Sequence, residues 1–118
     1  MNGKVPHIVQ YQGSKRILAP QILEYMPDRI DRLIEPFAGM AAISIAVAHD
    51  DRANSFHIND LNAPLVNLLK EAINAPDQLI SAYSKVWEEQ FKYGDNHVQH
   101  FYDVRERFNN GENTPANM

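Results

Sequence analysis

Gly39 and Asp60 stand 21 positions apart, and that spacing suits one kind of chemistry. Gly39 lies in Leu33-Ile34-Glu35-Pro36-Phe37-Ala38-Gly39-Met40-Ala41, an apolar run broken by an acid and a proline and followed by an alanine-rich stretch. Read as strand, tight loop and helix start, this segment lets the backbone approach a ligand closely at Gly39. The free N–H groups of the helix start face the same space. Asp60 closes the next apolar run. A carboxylate about 20 residues past a glycine loop is placed to accept hydrogen bonds from ribose hydroxyls. Loop and acid together favour a nucleoside-containing ligand. Each also has a plainer reading: a simple strand-to-helix turn for Gly39, and a helix cap before Asn62 for Asp60. The three-glycine dinucleotide fingerprint is absent.

Three further residues carry functional groups near that loop. Glu35 ends a strand ahead of Pro36, and a buried carboxylate is unfavourable unless paired. It either binds a cationic group of a ligand or holds the loop by accepting backbone N–H groups. Phe37 either packs on a ring or fills the core. Lys15 follows Gly13-Ser14 at an expected helix start, where the helix dipole disfavours a cation. That placement suggests a ligand carboxylate, with an exposed lysine as the alternative. Catalytic and metal-binding signatures are missing. The five histidines form no ligand set with a third partner, there is no cysteine, and Gly13-Ser14-Lys15 lacks the upstream glycine of a phosphate loop. No serine-nucleophile motif occurs.

The elements that must position these residues follow from apolar spacing. A helix capped by Ser14, with Ile17, Leu18, Ile22 and Leu23 on one face, is expected to close before Pro27. Arg32–Glu35 reads as a strand, Met40–His49 as a helix and Ser55–Asn59 as a second, parallel strand. A helix capped by Asn62 follows, with Leu65, Val66, Leu68, Leu69 and Ile73 on its apolar side. Leu79–Phe91 and Phe101–Phe108 read as two more helices. Residues 1–9 read as a loose arm, and residues 109–115 as a polar end with no hydrophobic role. Two strands do not make a stable sheet alone, so the order resembles the opening of a doubly wound α/β domain. The expected division is 1–75 for the ligand-binding part and 76–118 for a helical part.

Composition bounds the partners. The chain has 118 residues, 44% apolar and 22% charged, with a net charge of -4. One domain's worth of core is available. No global basic surface exists to hold nucleic acid by charge alone. No export segment or membrane-length apolar run is present, so a cytoplasmic location and no membrane partner are expected.

Three segments in order resemble the Dam-type DNA adenine-specific methyltransferases: Tyr11-Gln12-Gly13-Ser14-Lys15, Glu35-Pro36-Phe37-Ala38-Gly39 and Ile58-Asn59-Asp60-Leu61-Asn62. Phe101-Tyr102-Asp103-Val104-Arg105-Glu106-Arg107-Phe108-Asn109 is also similar to a helical segment of that family's target-recognition region. The resemblance implies a Rossmann-like doubly wound fold, present here in part, with extra C-terminal helices. It implies S-adenosylmethionine as cofactor and, for the full-length protein, methyl transfer to the exocyclic amine of adenine in double-stranded DNA. By the same resemblance Tyr11 and Lys15 contact the methionine part, with Lys15 on its carboxylate. Glu35, Pro36, Phe37 and Gly39 form the loop beneath methionine and sugar, and Asp60 takes the ribose hydroxyls. Two departures stand out. Met40-Ala41 replaces the family's second glycine, and the added methyl narrows the loop. The catalytic Asp-Pro-Pro-Tyr motif does not occur in these 118 residues, where no two prolines adjoin. The chain therefore reads as an N-terminal part without catalytic residues, prone to self-association. The other readings are a non-catalytic cofactor-binding or helical interaction module and, third, a sugar-nucleotide or dinucleotide binder.

Overall fold

A computed structural model describes residues 5–118, and their order is helix, strand, helix, strand and three further helices. They are α1 (Ala19–Glu24), β1 (Ile30–Glu35), α2 (Ala42–His49), β2 (Ala53–Ile58), α3 (Ala63–Asn74), α4 (Pro76–Glu89) and α5 (His97–Asn109). Short 3-10 turns follow α4 at Gln90–Tyr93 and end the chain at Pro115–Asn117. The contacts group into two compact units that part between Asn62 and Ala63.

In the first unit β1 and β2 pair in parallel, with Leu33 beside Phe56 and Glu35 beside Ile58. The parallel pairing expected for the two apolar runs is thus present. The crossover runs through α2, as parallel neighbours require. The core is small: Val5, Ala19, Leu23, Ala46 and Val47 are buried together, with Ile30, Leu33 and Ile45 packed on them. Successive strand residues point to opposite faces. Leu33 therefore meets the core, while Ile34 is left 63% exposed.

Several boundaries differ from the sequence expectation for local reasons. Ser14 does not cap a helix. Gly13 at φ +79 closes a turn in which Ser14 N–H donates to Tyr11 O, and a second turn joins Leu18 N–H to Lys15 O. Only then does α1 begin, at Ala19, and Ile17 and Leu18 stay exposed. The dipole argument for Lys15 lapses with that cap, because Lys15 lies in a turn and not at a helix start. The expected loose arm spans residues 1–9, of which the first four lie outside the described residues. Val5 is no arm: it is buried in the core, and its carbonyl accepts the Arg16 side chain.

The second unit packs α3, α4, α5 and both 3-10 turns on one another. Asn62 stands directly before α3, where a cap was expected. α5 starts at His97, four residues before the expected Phe101, because Asn96 caps it by accepting the Gln99 N–H at 3.2 Å. Residues 109–114 are exposed, as a polar end with no hydrophobic role implies, whereas Pro115 is half-buried and opens a last turn, Pro115–Asn117, that packs on α3, α4 and α5.

Candidate functional site

The end of β1 has to pass into α2 within six residues, and the chain makes the turn with two left-handed residues. Gly39 has φ +53 and Ala41 φ +54. Glycine takes this conformation freely, whereas alanine pays roughly 1–2 kcal/mol for it. The pair delays α2 to Ala42, two residues beyond the expected Met40. Ala41 occupies the cap position and has no side chain to offer the first-turn N–H groups.

Glu35 supplies what Ala41 lacks. Its Oε2 accepts the backbone N–H of Ser44 at 3.0 Å and the Ser44 hydroxyl as well. Of the two readings open for Glu35, the structure shows the one in which it accepts backbone N–H, and the group it serves is the first turn of α2. A carboxylate there is also favoured by the helix dipole. Ser44 was not singled out in the sequence. No local signal marks it, because the alanine cap position is evident only once α2 is seen to start at Ala42.

Asp60 anchors the same loop from the other strand. Its Oδ2 accepts the Gly39 N–H and its Oδ1 the Asn62 N–H, both at 2.9 Å. These bonds, Asn62 first and then Gly39, hold its carboxyl below the ordinary carboxylate value. A carboxylate has about four acceptor positions, so capacity remains after two bonds. Asn59 adds a third tie, donating its side-chain N–H to Pro36 O at 3.0 Å, while Ala38 N–H donates to Asn59 O.

Tyr11, Lys15, Glu35, Phe37, Gly39 and Asp60 line one cleft of about 250 Å³. Pro36 does not line it and contributes its carbonyl to Asn59 instead. Phe37 is 92% exposed, so it does not fill the core. The Tyr11 ring covers Gly39 so closely that a Cβ there would lie 3.3 Å from Cε1. Lys15 forms no ion pair among the described residues. Gly13, Ser14 and Met40 also line the cleft and were not among the expected site residues. Ligand pockets commonly run from roughly 300 Å³ upward, so this open cleft suits part of a ligand, with one cation, two carboxylates and two aromatic rings at its wall. Among the described residues no cluster of three metal-ligating side chains exists, and no helix is long and apolar enough to cross a membrane.

Comparison with known proteins bears on this arrangement. Residues 11–117 match the family model for D12 class N6 adenine-specific DNA methyltransferases. The chain is 29% identical to the type II methyltransferase M1.LlaDCHI of Lactococcus lactis subsp. cremoris, over 81% of this chain and 30% of that protein. It is 28% identical to the retron Ec67 DNA adenine methylase of Escherichia coli, over 86% of this chain and 32% of that protein. It is also 28% identical to the type II methyltransferase M.MjaIII of Methanocaldococcus jannaschii, over 93% and 40% respectively. The chain thus spans between 30% and 40% of the length of these curated relatives. No solved structure matches it. With the family model covering nearly all of the sequence, including every residue of the cleft, the chain belongs to the D12 class of N6 adenine-specific DNA methyltransferases.

Proposed function

We propose that this chain forms the S-adenosylmethionine-binding part of a DNA adenine methyltransferase, built on the opening strands of a Rossmann-like fold. One observation carries the reading: Lys15, Glu35, Phe37, Gly39 and Asp60, drawn from three separate segments, line a single cleft. Their chemistry suits the methionine and ribose parts of the cofactor. Lys15 would hold the methionine carboxylate, and Asp60, with acceptor capacity left after Gly39 and Asn62, would take the ribose hydroxyls. Tyr11 and Phe37 would flank the ligand with their rings, and Gly39, lacking a Cβ, lets the Tyr11 ring lie against the loop. Residues 1–75 would serve the cofactor, and residues 76–118 would lead toward target recognition.

When bound, the cofactor supplies an activated methyl group. In the whole protein this group would pass to the exocyclic amine of adenine in duplex DNA. The 118 residues contain no Asp-Pro-Pro-Tyr. As an isolated polypeptide they are therefore expected to bind the cofactor without transferring its methyl. Calorimetric titration with S-adenosylmethionine tests the reading, with a tritiated-methyl assay on unmethylated DNA beside it. The expected result is binding by the wild type, weakening in Lys15→Ala and no methyl transfer. No binding by the wild type would overturn the reading.

A further inference from the structure

Ser44 belongs to α2, outside both the strand end and the loop, yet it binds the acid that lines the cleft. The residue is 3% exposed. A serine inside a helix commonly turns its hydroxyl back to the carbonyl one turn earlier. Here Oγ instead donates to Glu35 Oε2, the oxygen that also accepts the Ser44 N–H. One carboxylate oxygen is thereby occupied twice by the same residue. Oε1 has no hydrogen bond among the described residues, and Glu35 lines the cleft together with Lys15 and Asp60.

We infer that Ser44 is a positioning residue, which locks Glu35 so that its second oxygen receives the ammonium group of the ligand's amino-acid end. This rests on the cofactor reading given above and assigns a group that the reading leaves open. The cleft would then hold a zwitterion by opposite charges, carboxylate on Lys15 and ammonium on Glu35. Selectivity for the amino-acid end would depend on a side chain that does not touch the ligand.

The test uses two ligands that share the nucleoside. S-adenosylmethionine carries the amino-acid end, and 5′-methylthioadenosine lacks it. The 118-residue chain is titrated with each by calorimetry, as wild type and as Ser44→Ala, and thermal unfolding is recorded for both proteins. A hydrogen bond to a charged group is worth about tenfold or more in affinity, so Ser44→Ala is expected to weaken S-adenosylmethionine about fivefold or more. Methylthioadenosine should bind both proteins alike, to within about twofold. Should Ser44→Ala fail to fold, Ser44→Cys keeps the volume with a weaker donor and is expected to shift the same ratio. Equal weakening of both ligands would mean that Ser44 only supports the helix, and would overturn the inference. So would unchanged affinity for both. Either result would leave the cofactor reading intact, provided the wild type binds. A wild type that binds neither ligand would remove the cofactor reading and the inference with it.

Discussion

The backbone N–H of Gly39 donates to Oδ2 of Asp60 across 2.9 Å, joining two residues 21 positions apart. The loop after β1 and the end of β2 are therefore tied together at the cleft wall they share. Removing the carboxylate should cost both the anchor and the acceptor. Asp60→Ala is expected to weaken S-adenosylmethionine about tenfold or more, read by calorimetric titration. Equal affinity for wild type and variant would reject the assignment. The pH dependence follows from the depressed carboxyl of Asp60. The stability it contributes is present above the ordinary carboxylate value of about 3.9 and is lost as pH falls through the lower value held in the fold. Asp60→Ala should therefore unfold with less sensitivity to acid than wild type in that window.

Gly39→Ala should destabilise the first unit for two separable reasons. The left-handed backbone disfavours any side chain by roughly 1–2 kcal/mol. The new Cβ would also press on the Tyr11 ring at 3.3 Å. Gly13 provides the control, since its φ is +79 and a Cβ there meets nothing within 4 Å. In urea unfolding, Gly39→Ala should lower the midpoint more than Gly13→Ala. Replacing Tyr11 by alanine in the Gly39→Ala background should recover part of the difference.

Tyr93 and Asp103 should titrate away from their usual ranges in opposite directions. The Tyr93 hydroxyl donates to Asp103 Oδ2, and the Gln99 side chain donates to Oδ1, each at 2.7 Å. The bond to Asp103 pushes the Tyr93 phenol up, and the bonds from Tyr93 and Gln99 push the Asp103 carboxyl down. Stability from the tyrosine is present below its unfolded value of about 10 and lost as pH rises through the raised value. Stability from the aspartate is present above about 3.9 and lost as pH falls through the lowered one. Ultraviolet titration of wild type against Tyr93→Phe should show the missing phenol above the ordinary tyrosine range. A difference centred at or below that range would contradict the hydrogen bond.

Self-association is the expected behaviour of the isolated chain. Among the described residues the sheet has two strands, so each strand keeps one unpaired edge. Ile34 and Phe56 on those strands are 63% and 37% exposed. Light scattering should report species larger than the monomer, and Ile34→Glu should reduce them. A strict monomer at high concentration that binds no hydrophobic dye would contradict the expectation.

Much of this was written in local pattern, and the exceptions have identifiable causes. The parallel strands and the helix between them follow from the apolar runs around Leu33, Ile45 and Ile58. The spacing of Gly39 and Asp60 points to ribose hydroxyls of a ligand and does not specify the direct bond that joins the two residues. Ser14 misled because a serine before an apolar run resembles a cap, whereas the left-handed Gly13 spends those residues on turns. Phe37 was ambiguous because an aromatic residue beside a strand fits a core as well as a cleft. Ser44 and Val5 were missed because their partners, Glu35 and Arg16, lie nine and eleven positions away. Short-range periodicity carries no trace of such pairs.

The alanine at position 41 has a consequence for how the first unit comes together. A helix of eight residues is too short to persist alone in water. Here its opening turn has no local cap, only an acid delivered from the preceding strand. α2 and the end of β1 are therefore expected to form together, the acid of the strand standing in for the cap the helix lacks. Amide protons at Ser44 and along α2 should then exchange with solvent together with those of β1, with no earlier fraying of the helix start. A ligand that engages Glu35 would slow that exchange across both elements at once, so that occupancy of the cleft is read as protection of the whole strand–loop–helix segment.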